Sequence, residues 1–161
     1  MWRGTSSSDA HLAYLQQDSA QTLCEGLQEY YAANVGTVTR PSDLPLDSAS
    51  LFVSHDICHV IFGLSVTLDD EALVDARTLL SCDVGVRRYA IYLSQDKQAK
   101  ALFKKLGYLK SAWVTILALP RICSAVREAW RMEKRWPWVP PDSFLNRTLA
   151  DLRDEFGIRV V

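Results

Sequence analysis

The sequence predicts an all-α fold, a single-domain bundle of about six to seven helices over residues 1–161. Three observations carry that expectation. The strict apolar–polar alternation of half-buried strands is scarce. Long stretches lack Gly and Pro and repeat apolar residues at spacings of three and four. Those stretches end on cap-forming residues. With 48% hydrophobic and 23% charged residues the chain falls in the soluble globular class, and its length suffices for one sizeable core. Seven Gly and six Pro exclude collagen-like and low-complexity chains.

The first predicted helix covers Ser19 to Ala33, with Leu23, Leu27 and Tyr30 on one face. Val35 to Pro45 holds Gly36, Pro41 and Pro45 and reads as a loop. A second helix opens at Asp47 or Ser48 and runs to Phe62, with Gly63 placed just past its end. Thr67-Leu68-Asp69-Asp70 resembles a capping box and opens a third helix, through Glu71 to about Cys82 or beyond. Lys97 to Leu106 reads as a fourth, with Gly107 as a stop or a bend. Pro120 suits the first turn of a helix running to Arg135. Trp136 to Pro141 must be irregular, and a last helix fits Thr148 to Phe156, closed by Gly157.

The formal charge of −1 is the sum of two opposed halves. Residues 1–86 carry twelve acidic and three basic groups, whereas residues 97–135 carry ten basic groups against Glu128 and Glu133. The basic stretch also contains Phe103, Tyr108, Trp113 and Trp130, with Trp136 and Trp138 just beyond. Cationic side chains beside amphipathic aromatics suit an anionic membrane surface, and a solvated basic face is the alternative. The balanced total and the lack of a recognition motif argue against nucleic acid. No apolar run approaches the length of a membrane span. The Ser-rich start is unlike a secretory signal but compatible with a short transit peptide. Cys24, Cys58, Cys82 and Cys123 form no CxxC pair and read as reduced thiols.

The chemistry concentrates in His55-Asp56-Ile57-Cys58-His59, followed after eleven residues by Glu71. At about 100° per residue, His59 lies about 40° and Asp56 about 100° around the helix from His55. Leu51 and Phe62 share that arc, so the stripe points into the protein, where unpaired polar groups are costly. The short connection from Gly63 to Asp70 folds the next helix back and brings Glu71 toward the imidazoles. Three histidines placed at random give a pair at this spacing only about 4% of the time, so the pairing is informative. Two imidazoles with one or two carboxylates suit a divalent metal, zinc above others, with room for water or substrate. A structural polar network of the same residues is the competing reading. A zinc protease motif would need Glu at Asp56, and the paired Glu-x-x-His motifs of di-iron bundles are missing. HD-type phosphohydrolases need a further upstream His and a late Asp, which only an unsupported choice of His11 and a downstream aspartate would supply.

This pattern resembles the ubiquinone (coenzyme Q) biosynthesis family of the fourth Coq protein, whose hallmark is HDxxH, eleven residues, then Glu. Phe62-Gly63-Leu64 and Leu152-Arg153-Asp154-Glu155-Phe156-Gly157-Ile158 add to the likeness, which runs from about Arg40 to Ile158. The residues from Leu64 to Asp70 are more acidic than the family's usual loop. The resemblance implies an all-helical protein holding a divalent metal through His55, Asp56, His59 and Glu71. It implies oxidative decarboxylation at C1 of a polyprenylated hydroxybenzoate, with Asp56 as a base or an orienting group. A non-catalytic lipid-binding scaffold among the other ubiquinone-biosynthesis proteins is the alternative. The implied place is the inner-membrane surface, from the cytoplasm in a bacterium or the matrix in a mitochondrion, with a homodimer as candidate oligomer. The apolar Trp113 to Leu119 stretch is a candidate wall for the polyprenyl tail, or plain core.

Overall fold

The computed structural model describes residues 12–38, 46–95, 120 and 123–160. Its helices are α1 (Leu23–Ala33), α2 (Leu46–Phe62), α3 (Leu68–Ser81), α4 (Val86–Gln95), α5 (123–131) and α6 (Leu149–Phe156). Short 3-10 turns lie at Ala13–Leu15 and Asp142–Asn146. Among the described residues there is no β-strand, only isolated bridges such as Cys82 with Trp136. The described residues are all-α, as the periodicity predicts.

The axis of the fold is α2. Every residue from Ser54 to Phe62 is buried, because α1, α3, α4, α6 and the first 3-10 turn all pack against this helix. Gly26 lets α1 come close: a Cβ there would lie 2.9 Å from Val60 Cγ1 and 3.0 Å from Leu149 Cδ1. One turn on, Tyr30 faces α2 from the same side of α1.

Local chemistry explains the element ends. Thr22 Oγ1 accepts the Glu25 backbone N–H at 3.2 Å while Glu25 Oε2 accepts the Thr22 N–H at 2.8 Å. This capping box starts α1 at Leu23, four residues later than the apolar spacing predicts. Thr67 caps α3 by accepting the Asp70 N–H, as predicted, but the Asp70 carboxylate turns to Ser65, accepting from its N–H at 3.0 Å and its hydroxyl at 2.6 Å. The box is thereby spread across the whole α2–α3 turn. Gly63 opens that turn at φ +65°, where a Cβ would also collide with Val160 at 2.6 Å. Thr148 and Gly157 close α6 at both ends as predicted.

Two expectations need correction. The helix at Val86–Gln95 is absent from the sequence reading, and α5 ends at residue 131 rather than Arg135. Past that point the backbone is drawn away. Glu133 N–H bonds Phe156 O at 3.1 Å, and Trp136 N–H bonds Ser81 O at 2.8 Å. Trp136 and Trp138 are core residues rather than surface aromatics, packed on Phe144 and Phe156 and on Tyr89 and Tyr92 respectively. The predicted helix at Lys97 to Leu106, the stretch from Trp113 to Leu119, and Phe103 and Tyr108 lie outside the described residues.

The ends of the chain are tied by Arg153 of α6, which is fully buried. Its Nε donates to Ile61 O at 2.9 Å, Nη2 to Val60 O at 2.8 Å and Tyr14 O at 2.6 Å, and Nη1 to Gln16 O and Gln17 O. Arg153→Met would remove these five bonds from a largely buried site, although Val60 O and Gln16 O keep the Gly63 and Ser19 N–H groups, and we expect a stability loss of about 3–5 kcal/mol in urea unfolding. A loss below about 1 kcal/mol would show that the carbonyls find other donors.

Candidate metal centre

The α2–α3 turn determines how the site forms. Because it is short, α3 runs back along α2 and antiparallel to it. His59, near the turn, meets Glu71, and His55, one turn earlier on α2, meets Asp75, one turn later on α3. Nitrogen and oxygen donors of His55, His59 and Glu71 all lie within 4.8 Å of one another, a group that could hold a metal ion. The sequence predicts this meeting of two imidazoles with a carboxylate from the next helix.

The imidazoles are held by aromatic rings. Tyr30 stacks on His59 with centroids 5.3 Å apart and planes at 26°, and Tyr92 stacks on His55 at 4.9 Å and 24°. The two imidazoles meet edge to face at 4.9 Å. Neither can swing without displacing a tyrosine that is itself in the core.

His59 provides the test of whether the residues fit a cation. It is wholly buried, and among the described residues neither ring nitrogen has a hydrogen-bond partner. Its Nε2 stands 3.5 Å from Glu71 Oε1, too far for a good hydrogen bond. A buried imidazole left so is costly, since each unsatisfied buried polar group costs about 1–3 kcal/mol. Two donors about 2.1 Å from one tetrahedral zinc stand about 3.4 Å apart, so the 3.5 Å separation suits shared ligation better than direct bonding. The side chains of Glu71 and Asp75 are each 40% exposed, against 8% and 0% for those of His55 and His59, so the group opens to solvent on its α3 side.

Asp56 is not brought into this group. Its carboxylate accepts from Tyr31 Oη at 2.7 Å and faces Tyr30 Oη at 3.5 Å. A rotation of about 100° from His55 carries Asp56 around α2 to the α1 side, beyond the reach of α3. Burial raises its carboxyl to about 6, against the Tyr31 hydrogen bond and the neighbouring imidazoles, which lower it. For His55, burial works downward, but the Asp75 contact and the charges of Glu71, Asp75 and Asp56 outweigh it and hold the imidazole at about 9.

Sequence reasoning missed Asp75, Tyr89 and Tyr92. Asp75 follows Glu71 at the i, i+4 spacing of the histidines, a signal that was present. The two tyrosines sit on α4, whose existence was not read. No family model matches the chain, and no curated protein or solved structure matches it.

These environments set a pH dependence. The raised His55 stabilises the metal-free fold fully below about 6.5, and that contribution is lost as pH rises through about 9. The raised Asp56 contributes below its ordinary 3.8 and loses its effect as pH rises through about 6. Both slopes run the same way, so the Tm of chelator-treated protein should fall from pH 5 to pH 8.5. Zinc requires neutral imidazoles, so the rise in Tm that it causes should grow over the same range. A zinc-induced shift that shrinks with pH would contradict this arrangement.

Proposed function

We propose that this chain is a zinc-dependent protein of ubiquinone biosynthesis that carries out oxidative decarboxylation at C1 of a polyprenylated hydroxybenzoate. The observation that supports it is the convergence of His55, His59 and Glu71 in the register of the HDxxH-x11-E motif. An imidazole and carboxylate donor set with a solvent-facing side suits a catalytic zinc better than a closed structural one.

His55, His59 and Glu71 are the residues that would hold the ion. A bound divalent cation supplies Lewis-acid polarisation of a ring carboxylate or phenolic oxygen. The half-exposed side by Glu71 and Asp75 admits the head group, while Tyr30 and Tyr92 keep the imidazoles in place. Asp56, bonded to the half-buried Tyr31 on the α1 side of α2, would act as an orienting group for the imidazole stripe rather than on the head group itself. In the net reaction the ring carboxyl leaves as CO2 and water supplies the new C1 hydroxyl. Two electrons and two protons pass to an external acceptor of the quinone class.

The surface of α5 and the residues after it supports a membrane-side location. Trp130 is 84% exposed and is flanked by exposed Arg127, Arg131, Lys134 and Arg135, a combination suited to anionic headgroups. Among the described residues no helix is long and apolar enough to cross a membrane.

Three measurements test this reading. Metal analysis of protein dialysed against zinc should find about one ion per chain, lost in His59→Ala with the helical spectrum kept. Purified protein given a polyprenyl hydroxybenzoate and a quinone acceptor should release CO2. Zinc binding with no turnover, and full complementation by His55→Ala, would instead favour the scaffold. Vesicles containing anionic lipid should float the protein, less so as salt rises, and Trp130→Ala should weaken flotation several-fold.

A further inference from the structure

The HDxxH-x11-E motif supplies two acids, yet the fold treats them unequally and brings up a third. The Asp56 carboxylate is engaged by tyrosines on the α1 side of α2. Asp75, outside the motif, has its Oδ1 3.5 Å from His55 Nε2, the same separation as between His59 Nε2 and Glu71 Oε1. Two histidines one turn apart on α2 therefore face two carboxylates one turn apart on α3. The shared distance is too long for a good hydrogen bond and matches the spacing of two donors on one tetrahedral ion, about 3.4 Å.

Asp75 lies outside the group whose donors are all within 4.8 Å of one another, and we infer that on ion binding its carboxylate moves in to become a further protein ligand beside His55, His59 and Glu71, in the place that the motif alone would give to Asp56. This assignment rests on the metal reading proposed above. Tyr89 supports it. Its hydroxyl donates to Asp75 Oδ1 from a buried position on α4. Ligating carboxylates are commonly fixed by such an outer hydrogen bond, which leaves the other oxygen or a second lone pair for the ion. Tyr92, one turn further along α4, stacks on the His55 ring, so a single helix orients both members of the His55–Asp75 pair.

The test uses the full chain as wild type, Asp75→Asn, Asp56→Asn and Tyr89→Phe. Zinc affinity is measured by calorimetry, and the ligand field by the visible absorption of cobalt-loaded protein. Asp75→Asn is expected to weaken zinc binding at least tenfold and to alter the cobalt bands. Asp56→Asn should leave the cobalt bands unchanged, and Tyr89→Phe should weaken zinc less than Asp75→Asn does. Far-UV circular dichroism of metal-free protein checks the fold, and Asp75→Ser, on a half-exposed position, carries the same expectation should the Asn variant not fold. Asp75→Asn binding within threefold of wild type, or weakened binding with unaltered cobalt bands, overturns the ligand assignment while leaving the three-residue group intact. Wild type that binds neither zinc nor cobalt overturns both.

Discussion

Arg153 carries the arrangement that joins the first 3-10 turn, the end of α2 and α6. A buried guanidinium needs acceptors for its donors, and here the acceptors among the described residues are backbone carbonyls drawn from two distant parts of the chain. Those at Val60 and Ile61 belong to the last turn of α2, whose own i+4 partners run out. The cation thus completes a helix end in the centre of the protein, where water cannot. It also fixes where α2 stops, and the Gly63 turn, Thr67 and Glu71 follow within ten residues. Burial lowers the Arg153 guanidinium to about 10, with the nearby Arg77 acting in the same direction.

The candidate site shows a division of labour among elements. The imidazoles come from α2, the acids from α3, and α1 and α4 each supply a tyrosine ring laid on one imidazole. Close approach of α1 depends on Gly26, because Tyr30 follows it by one turn. The aromatic walls limit rotation of the rings and keep water from their faces, while the acid edge stays wet. Such an arrangement combines fixed donors with an accessible edge.

Much of this was legible in the sequence where chemistry is local. Thr67 and Gly63 marked the ends of two helices, and the four-residue spacing of the histidines with Glu71 in the next first turn located the donor group. What escaped depended on tertiary contacts. In α4 the exposed positions include Val86 and Ile91 while the core positions are Tyr89 and Tyr92, so the aliphatic residues do not mark the core face. The early stop of α5 follows from backbone bonds to Phe156 and Ser81, far off in sequence. The tyrosine partner of Asp56 was not legible, because a helical wheel gives direction but not the partner, and Tyr31 stands on that side.

The donors span only the segment from His55 to Asp75, whereas the clamp joins Arg153 to carbonyls up to 139 residues away. Loop-closure entropy rises with such separation, and folding slows as contacts become less local. The hairpin of α2 and α3 contains the whole candidate donor group, so its assembly needs no contact between the termini. The candidate donor group is thereby separable in sequence from closure of the chain, and its whole complement of side chains is present once Asp75 has been synthesised.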